Sequence, residues 1–162
     1  MEFARKALEL HDRITVSHFA RVRDLLDTTE GEIEWRLSGY VNASGRPMLN
    51  LQIQGDVQLR CQRCLEPFRY TLDTQTAYLL VADEAAIPLA SDEEALAEEE
   101  YLAADMQMHV LDLIEDEILL ALPYAAKHDE AQCGAGNTLD ELKKPNPFAV
   151  LQGLKSGKSQ NS

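Results

Sequence analysis

The sequence predicts an α+β fold: an antiparallel β-meander sheet with a packed amphipathic helix and short terminal helices. Three observations predict it. Apolar and polar residues alternate over three successive stretches between residues 33 and 81, turn chemistry separates those stretches, and one wide apolar stripe of helical period follows at 110–122.

Ile14-Thr-Val16-Ser-His18-Phe19 reads as a short strand running into a brief amphipathic helix that carries Phe19, Val22, Leu25 and Leu26. Gly31, just past the helical pattern, is its stop signal. The period then becomes two. Ile33, Trp35, Leu37 and Val41 fall on one face of a strand, with Glu34, Arg36 and Ser38 on the other. Asn42-Ala-Ser-Gly45-Arg-Pro47 supplies a turn, and a long strand follows with Leu49, Leu51, Ile53, Val57, Leu59 and Cys61 on its apolar face. After the turn Cys61-Gln-Arg-Cys64, the residues Phe68, Tyr70, Leu72, Thr74, Thr76 and Tyr78 continue the same period to Leu79-Leu-Val81. Three such strands in succession form a meander.

Residues 83–100 hold too few apolar side chains for core and read as an acidic, flexible loop, with Tyr101-Leu-Ala as one more short strand. Val110, Leu113, Ile114, Glu117, Ile118 and Ala121 define a helix face that Leu111, Leu119, Leu120 and Leu122 widen, and Pro123 ends the helix. Phe148-Ala-Val-Leu151-Gln-Gly-Leu154 reads as a short apolar helix after Pro145 and Pro147. The expected organisation is a single domain over 1–155 and a disordered tail over 156–162.

With 162 residues, 45% of them hydrophobic, the chain can bury a core without disulfides. No stretch approaches the roughly 18 uninterrupted apolar residues of a membrane span, and the N-terminal sequence is charged where a signal peptide is apolar. Three cysteines at uneven spacing fit a reducing compartment, so the expected location is cytoplasmic. The net charge of −13 argues against a surface that condenses wholesale on nucleic acid and suits a basic protein partner. Residues 82–105 carry nine acidic side chains and no basic one, whereas Lys143, Lys144, Lys155 and Lys158 lie in the C-terminal part.

Cys61 and Cys64 have the spacing of a zinc half-site, because a tight turn can aim two thiolates at one tetrahedral ion. His128 and Cys133 are the remaining ligand types close together in a loop, and they complete a Cys3His set. The competing reading makes Cys61 a small buried apolar residue, Cys64 a turn residue and Cys133 a loop thiol. Zinc is thus the one cofactor the residues suggest. Disulfide exchange lacks the helix N-terminus that activates a thiol, and no base or oxyanion turn accompanies the cysteines, so no catalytic residue is assigned and the chain is not read as an enzyme. Glu115-Asp116-Glu117 point about 100° apart on a helix, cannot converge on one atom, and read as a solvated face. His11, His18 and His109 are isolated. The phosphate-cradling glycine motifs are missing, and no small-molecule substrate is evident. Arg60, Arg63 and Arg69, beside Phe68 and Tyr70, have the composition of a local single-stranded RNA contact. The plainer reading is Arg at strand ends for solubility.

Taken together, Leu59-Arg-Cys61-Gln-Arg-Cys64-Leu-Glu-Pro67-Phe68, then Asp112-Leu-Ile-Glu115-Asp116-Glu117-Ile-Leu-Leu-Ala-Leu-Pro123 with His128-Asp129 and Cys133, and finally Lys144-Pro-Asn-Pro147-Phe148-Ala-Val-Leu151, resemble the bacterial YceD family of large ribosomal RNA subunit accumulation proteins. The resemblance spans residues 59–151. It implies a role in synthesis, processing or stability of the large-subunit (23S) rRNA, with no established catalytic activity. Members of related lineages are richer in cysteine around 128–137, which weakens the metal reading for this chain, and they tend to have an acidic residue where His109 stands, so that Asp105 is the expected cap of the long helix. The expectation is a ribosome-biogenesis factor that binds a ribosomal protein or the large-subunit rRNA precursor, the protein being favoured on charge. Arg60, Arg63, Arg69, Lys143, Lys144 and Phe148 are its candidate binding residues. The alternative is a zinc- or thiol-dependent enzyme acting on RNA or protein.

Overall fold

Alternation along three strands produces a sheet with one apolar and one polar face. In the computed structural model, which describes residues 1–88, 100–104, 108–129 and 133, these are β2 (Glu32–Val41), β3 (Pro47–Arg60) and β4 (Pro67–Val81). They pair antiparallel, with Trp35 opposite Ile53 and Ile53 opposite Thr74, and with Leu49 opposite Tyr78. Directly opposed residues share a face, so Ile33, Trp35, Leu37, Leu49, Leu51, Ile53, Val57, Leu59, Leu72 and Tyr78 build the buried side. Glu34, Gln54 and Asp73 line up on the opposite side, as do Arg36, Gln52 and Gln75.

Two further strands extend this meander to a five-stranded sheet in the order β1-β2-β3-β4-β5. The strand expected over 14–19 lies earlier: β1 is Glu9–Thr15, antiparallel to β2, and Val16–His18 form a turn of 3-10 helix. β1 is an edge strand whose only partly buried side chain is Ile14, so its alternation is too weak to read. β5 (Glu100–Ala103) is parallel to β4, with Leu80 opposite Leu102. The sheet is therefore mixed, because the chain between Val81 and Glu100 crosses back before pairing.

Among the described residues three helices sit on the apolar face. α1 (Glu2–Arg5) places Ala4 against Gly39, whose missing side chain makes the approach feasible: a Cβ there would lie 2.7 Å from the Ala4 Cα. α2 (Ala20–Arg23) buries Val22, preceded by Phe19. α3 (Val110–Ala121) buries Ile114 and Ile118 completely. The stripe on α3 is narrower than its leucines suggest, since Leu111 and Leu120 are exposed. Its N-cap residue is His109, which makes no side-chain cap bond, and Asp105 lies outside the described residues. So do the helix expected over 148–154, the tail 156–162 and most of the acidic loop. Of that loop, Glu84–Ala86 form one 3-10 turn, and Glu100 belongs to β5. Among the described residues no helix is long and apolar enough to cross a membrane.

Candidate metal centre and its surroundings

β3 and β4 outrun their neighbours and end in the turn 61–66, which is closed from both sides. The Cys61 amide donates to the Glu66 carbonyl at 2.9 Å, and the Leu65 amide donates to the Cys61 carbonyl at 2.9 Å. The turn forces Leu65 to φ +65°, a left-handed conformation that costs a residue with a Cβ about 1–2 kcal/mol. Alternation continues through Cys61, which is fully buried, while Cys64 is half-buried.

The segment after α3 folds back over this turn. Gln62 donates its backbone N–H to the Ala126 carbonyl at 2.8 Å, and its side-chain amide reaches the Tyr124 carbonyl at 3.5 Å. This anchoring delivers His128 and Cys133. Cys61, Cys64, His128 and Cys133 then present donor atoms that all lie within 4.8 Å of one another. Cys64 Sγ is 3.5 Å from His128 Nε2, and Cys133 is buried. The imidazole packs edge-on against Phe68, with centroids 5.4 Å apart, and its Nδ1 is buried without a hydrogen-bond partner among the described residues.

Electrostatics divides the two thiols of the turn. Burial pushes Cys61 up, but backbone amides at Cys64, Arg63 and His128 outweigh it and hold the thiol at about 6. The Arg63 amide lies 3.4 Å from the Cys61 sulfur. At Cys64 the Glu66 amide acts downward, yet burial and the neighbouring thiols Cys61 and Cys133 carry the net shift upward.

The candidate binding residues around the turn are placed differently. Arg60 and Arg69 share the outer face of the sheet, since Gln58 is opposite Arg69 and Arg60 is opposite Pro67. Each meets a carboxylate: Arg60 Nη2 is 2.6 Å from Asp27, and Arg69 Nη2 is 2.5 Å from Asp56, which it holds down at about 2 with help from Thr71. The aromatics read as stacking platforms are used internally. Phe68 supports His128, and the Tyr70 hydroxyl donates to the Ala121 carbonyl at 3.1 Å. Lys143, Lys144 and Phe148 lie outside the described residues.

The acidic run on α3 is a correction to the solvated face expected for it. Only Asp116 is exposed; Glu115 and Glu117 are buried at 8% and 7% exposure. Glu115 accepts from the backbone of Arg21 and Val22 and from the Arg21 guanidinium, and Glu117 accepts from the hydroxyls of Thr76 and Tyr78. The available signal was their spacing: Glu115 precedes Ile118 by three residues, and Glu117 lies between Leu113 and Ala121 on the apolar stripe.

These features define a small α+β domain with a one-sided sheet, a Cys3His cluster at one end and two carboxylates used for internal fastening. The family described as "Large ribosomal RNA subunit accumulation protein YceD" matches residues 49–155, and the chain belongs to that family. A relative in Haemophilus influenzae, named Large ribosomal RNA subunit accumulation protein YceD, is 31% identical over 161 residues, covering 94% of this chain and 90% of the relative. No solved structure matches the chain.

Proposed function

We propose that this protein is a cytoplasmic, non-catalytic factor that promotes accumulation of large-subunit rRNA by binding, with a ribosomal protein as its main partner and the rRNA precursor as a secondary one. Family membership carries the role, because the match runs through the Cys turn, α3 and the C-terminal segment together. Three features support a protein partner. The net charge of −13 attracts basic ribosomal proteins and steers their approach over roughly a Debye length, ~8 Å at physiological salt. Arg60 and Arg69 already face carboxylates, and Phe68 and Tyr70 are committed to packing and a backbone hydrogen bond, which leaves the turn poorly equipped to stack bases. Leu65 and Tyr124 project beside the turn at 67% and 102% exposure, the kind of apolar side chain that anchors a protein interface.

The test is crosslinking in growing cells followed by identification of bound protein and RNA. The expected result is recovery of a ribosomal protein, with large-subunit rRNA lowered relative to small-subunit rRNA when the gene is deleted. Recovery of neither ribosomal protein nor rRNA would overturn the proposal.

A further inference from the structure

We propose that Cys61, Cys64, His128 and Cys133 form a structural zinc site that clamps the segment after α3 onto the β3–β4 turn. This goes beyond the binding role and stands independently of it. The argument begins with distance. Donors around tetrahedral zinc, at about 2.3 Å for sulfur and 2.0 Å for nitrogen, sit roughly 3.5–3.8 Å from one another. Cys64 Sγ and His128 Nε2 already have that separation at 3.5 Å, and all four donors fit within 4.8 Å. A shift of about an ångström at most closes the set around an ion.

The chemistry of the donors selects the metal class. Three thiolates and an imidazole suit zinc over magnesium or calcium, which take oxygen ligands. Four protein donors fill the tetrahedron and leave no position for water or substrate, so the role is structural. Binding would send the thiol protons to solvent and leave a site charge of −1.

Two independent features are those of a site built for an ion. The turn holds Leu65 at φ +65° while the Arg63 amide faces the Cys61 sulfur at 3.4 Å, an N–H···S contact that stabilises thiolate. His128 directs Nε2 at the sulfurs and buries Nδ1 without a partner among the described residues, so its polar contacts are committed to the cluster. The ligands come from residues 61–64 and 128–133, so the ion would close a loop that contains all of β4, β5 and α3. Among the described residues, one backbone hydrogen bond from Gln62 to Ala126 and the Gln62 side chain on the Tyr124 carbonyl span the same junction.

The test uses the full chain purified under reducing conditions without chelating resins. Elemental analysis is expected to find about one zinc per chain, falling below roughly a tenth in Cys64→Ser and Cys133→Ser. A strong chelator is expected to lower the melting temperature, and added zinc to restore it. Should a cysteine variant fail to fold, the wild-type chain still decides: cobalt replacing zinc must give the intense visible absorption of a tetrahedral thiolate complex. Metal-free protein that melts at the same temperature with zinc as with chelator overturns the proposal, and so does a Cys61–Cys64 disulfide as the purified state. Loss of zinc from Cys64→Ser with unchanged rRNA levels would separate this site from the binding role.

Discussion

Glu115 caps a helix to which it does not belong. Its Oε1 accepts the backbone N–H of Arg21 at 2.6 Å and that of Val22 at 3.3 Å, and its Oε2 takes the Arg21 Nε at 3.0 Å. These amides are the orphan donors of the first turn of α2, and the N-cap residue there is Phe19, which has no oxygen to offer. A carboxylate 94 residues away supplies the cap and ties α2 to α3 above the sheet. Replacing Glu115 with Ala should destabilise the fold by about 2 kcal/mol, from the lost cap and the part-buried Arg21 and buried Val22 amides left without their acceptor. The Arg21 guanidinium is half exposed and adds little. Urea unfolding followed by Trp35 fluorescence measures it, since Trp35 is the single tryptophan and sits in the core. A loss below about 0.5 kcal/mol would refute the capping role.

The same carboxylate gives stability a pH dependence. Burial alone would raise Glu115, but the Arg21 amide, the Arg21 side chain and the Val22 amide outweigh it and hold the group below its ordinary 4.5. A carboxyl depressed in the folded state contributes stability that is fully present above the unfolded value and is lost as pH falls through the folded one. The contribution therefore fades from about pH 4.5 downward. Chemical denaturation at pH 6 and pH 3 should show a smaller acid loss in Glu115→Gln than in the wild type. Parallel losses in the two proteins would exclude Glu115 as a contributor.

At Gly39 the constraint is steric. An added Cβ would stand 2.7 Å from the Ala4 Cα and 2.8 Å from the Phe3 carbonyl oxygen, and backbone atoms cannot swing aside as side-chain ends do. Gly39→Ala should cost about 1–3 kcal/mol and displace α1. Gly45→Ala, at a turn with φ +78° and open space around it, should cost only the conformational strain, about 1 kcal/mol. Thermal melts of the pair, with proteolysis at Arg5 or Lys6 as a probe of α1 docking, give the comparison. Equal susceptibility of both variants to the protease would contradict it.

The contrast between strands and helix shows where sequence was sufficient. β2, β3 and β4 were legible because one face of each is buried, which forces alternation, and α3 ends where Pro123 requires. β1 was misplaced because an edge strand buries almost nothing, and the parallel direction of β5 depends on a crossover that no local pattern encodes. At the candidate site, the two-residue spacing of Cys61 and Cys64 could be read locally. Their approach to His128 depends on Gln62 meeting Ala126, a contact between residues 64 positions apart. The burial of Glu115 and Glu117 is not legible from their charge, which points to solvent. Each has its acceptors satisfied by groups remote in sequence, and burial follows from those partners.

Glu117 offers the sharpest test of that last point. It is buried against the sheet and takes a hydrogen bond from Thr76 Oγ1 at 2.7 Å and another from the Tyr78 hydroxyl. Burial, reinforced by the Glu117 carboxylate, pushes the Tyr78 phenol above its ordinary range, so the hydroxyl stays protonated and keeps donating. Removing that donor alone, as Tyr78→Phe, leaves a buried carboxylate with one partner and should cost about 1–3 kcal/mol. Removing the acceptor as well, with Glu117→Leu, replaces the pair by apolar groups of similar size, which restores much of the loss because neither partner is then stranded. A double-mutant cycle by urea unfolding should give a coupling of about 1 kcal/mol or more, with the double variant more stable than additivity of the singles allows. Strict additivity would mean that the two groups act independently and that Glu117 is buried for packing alone.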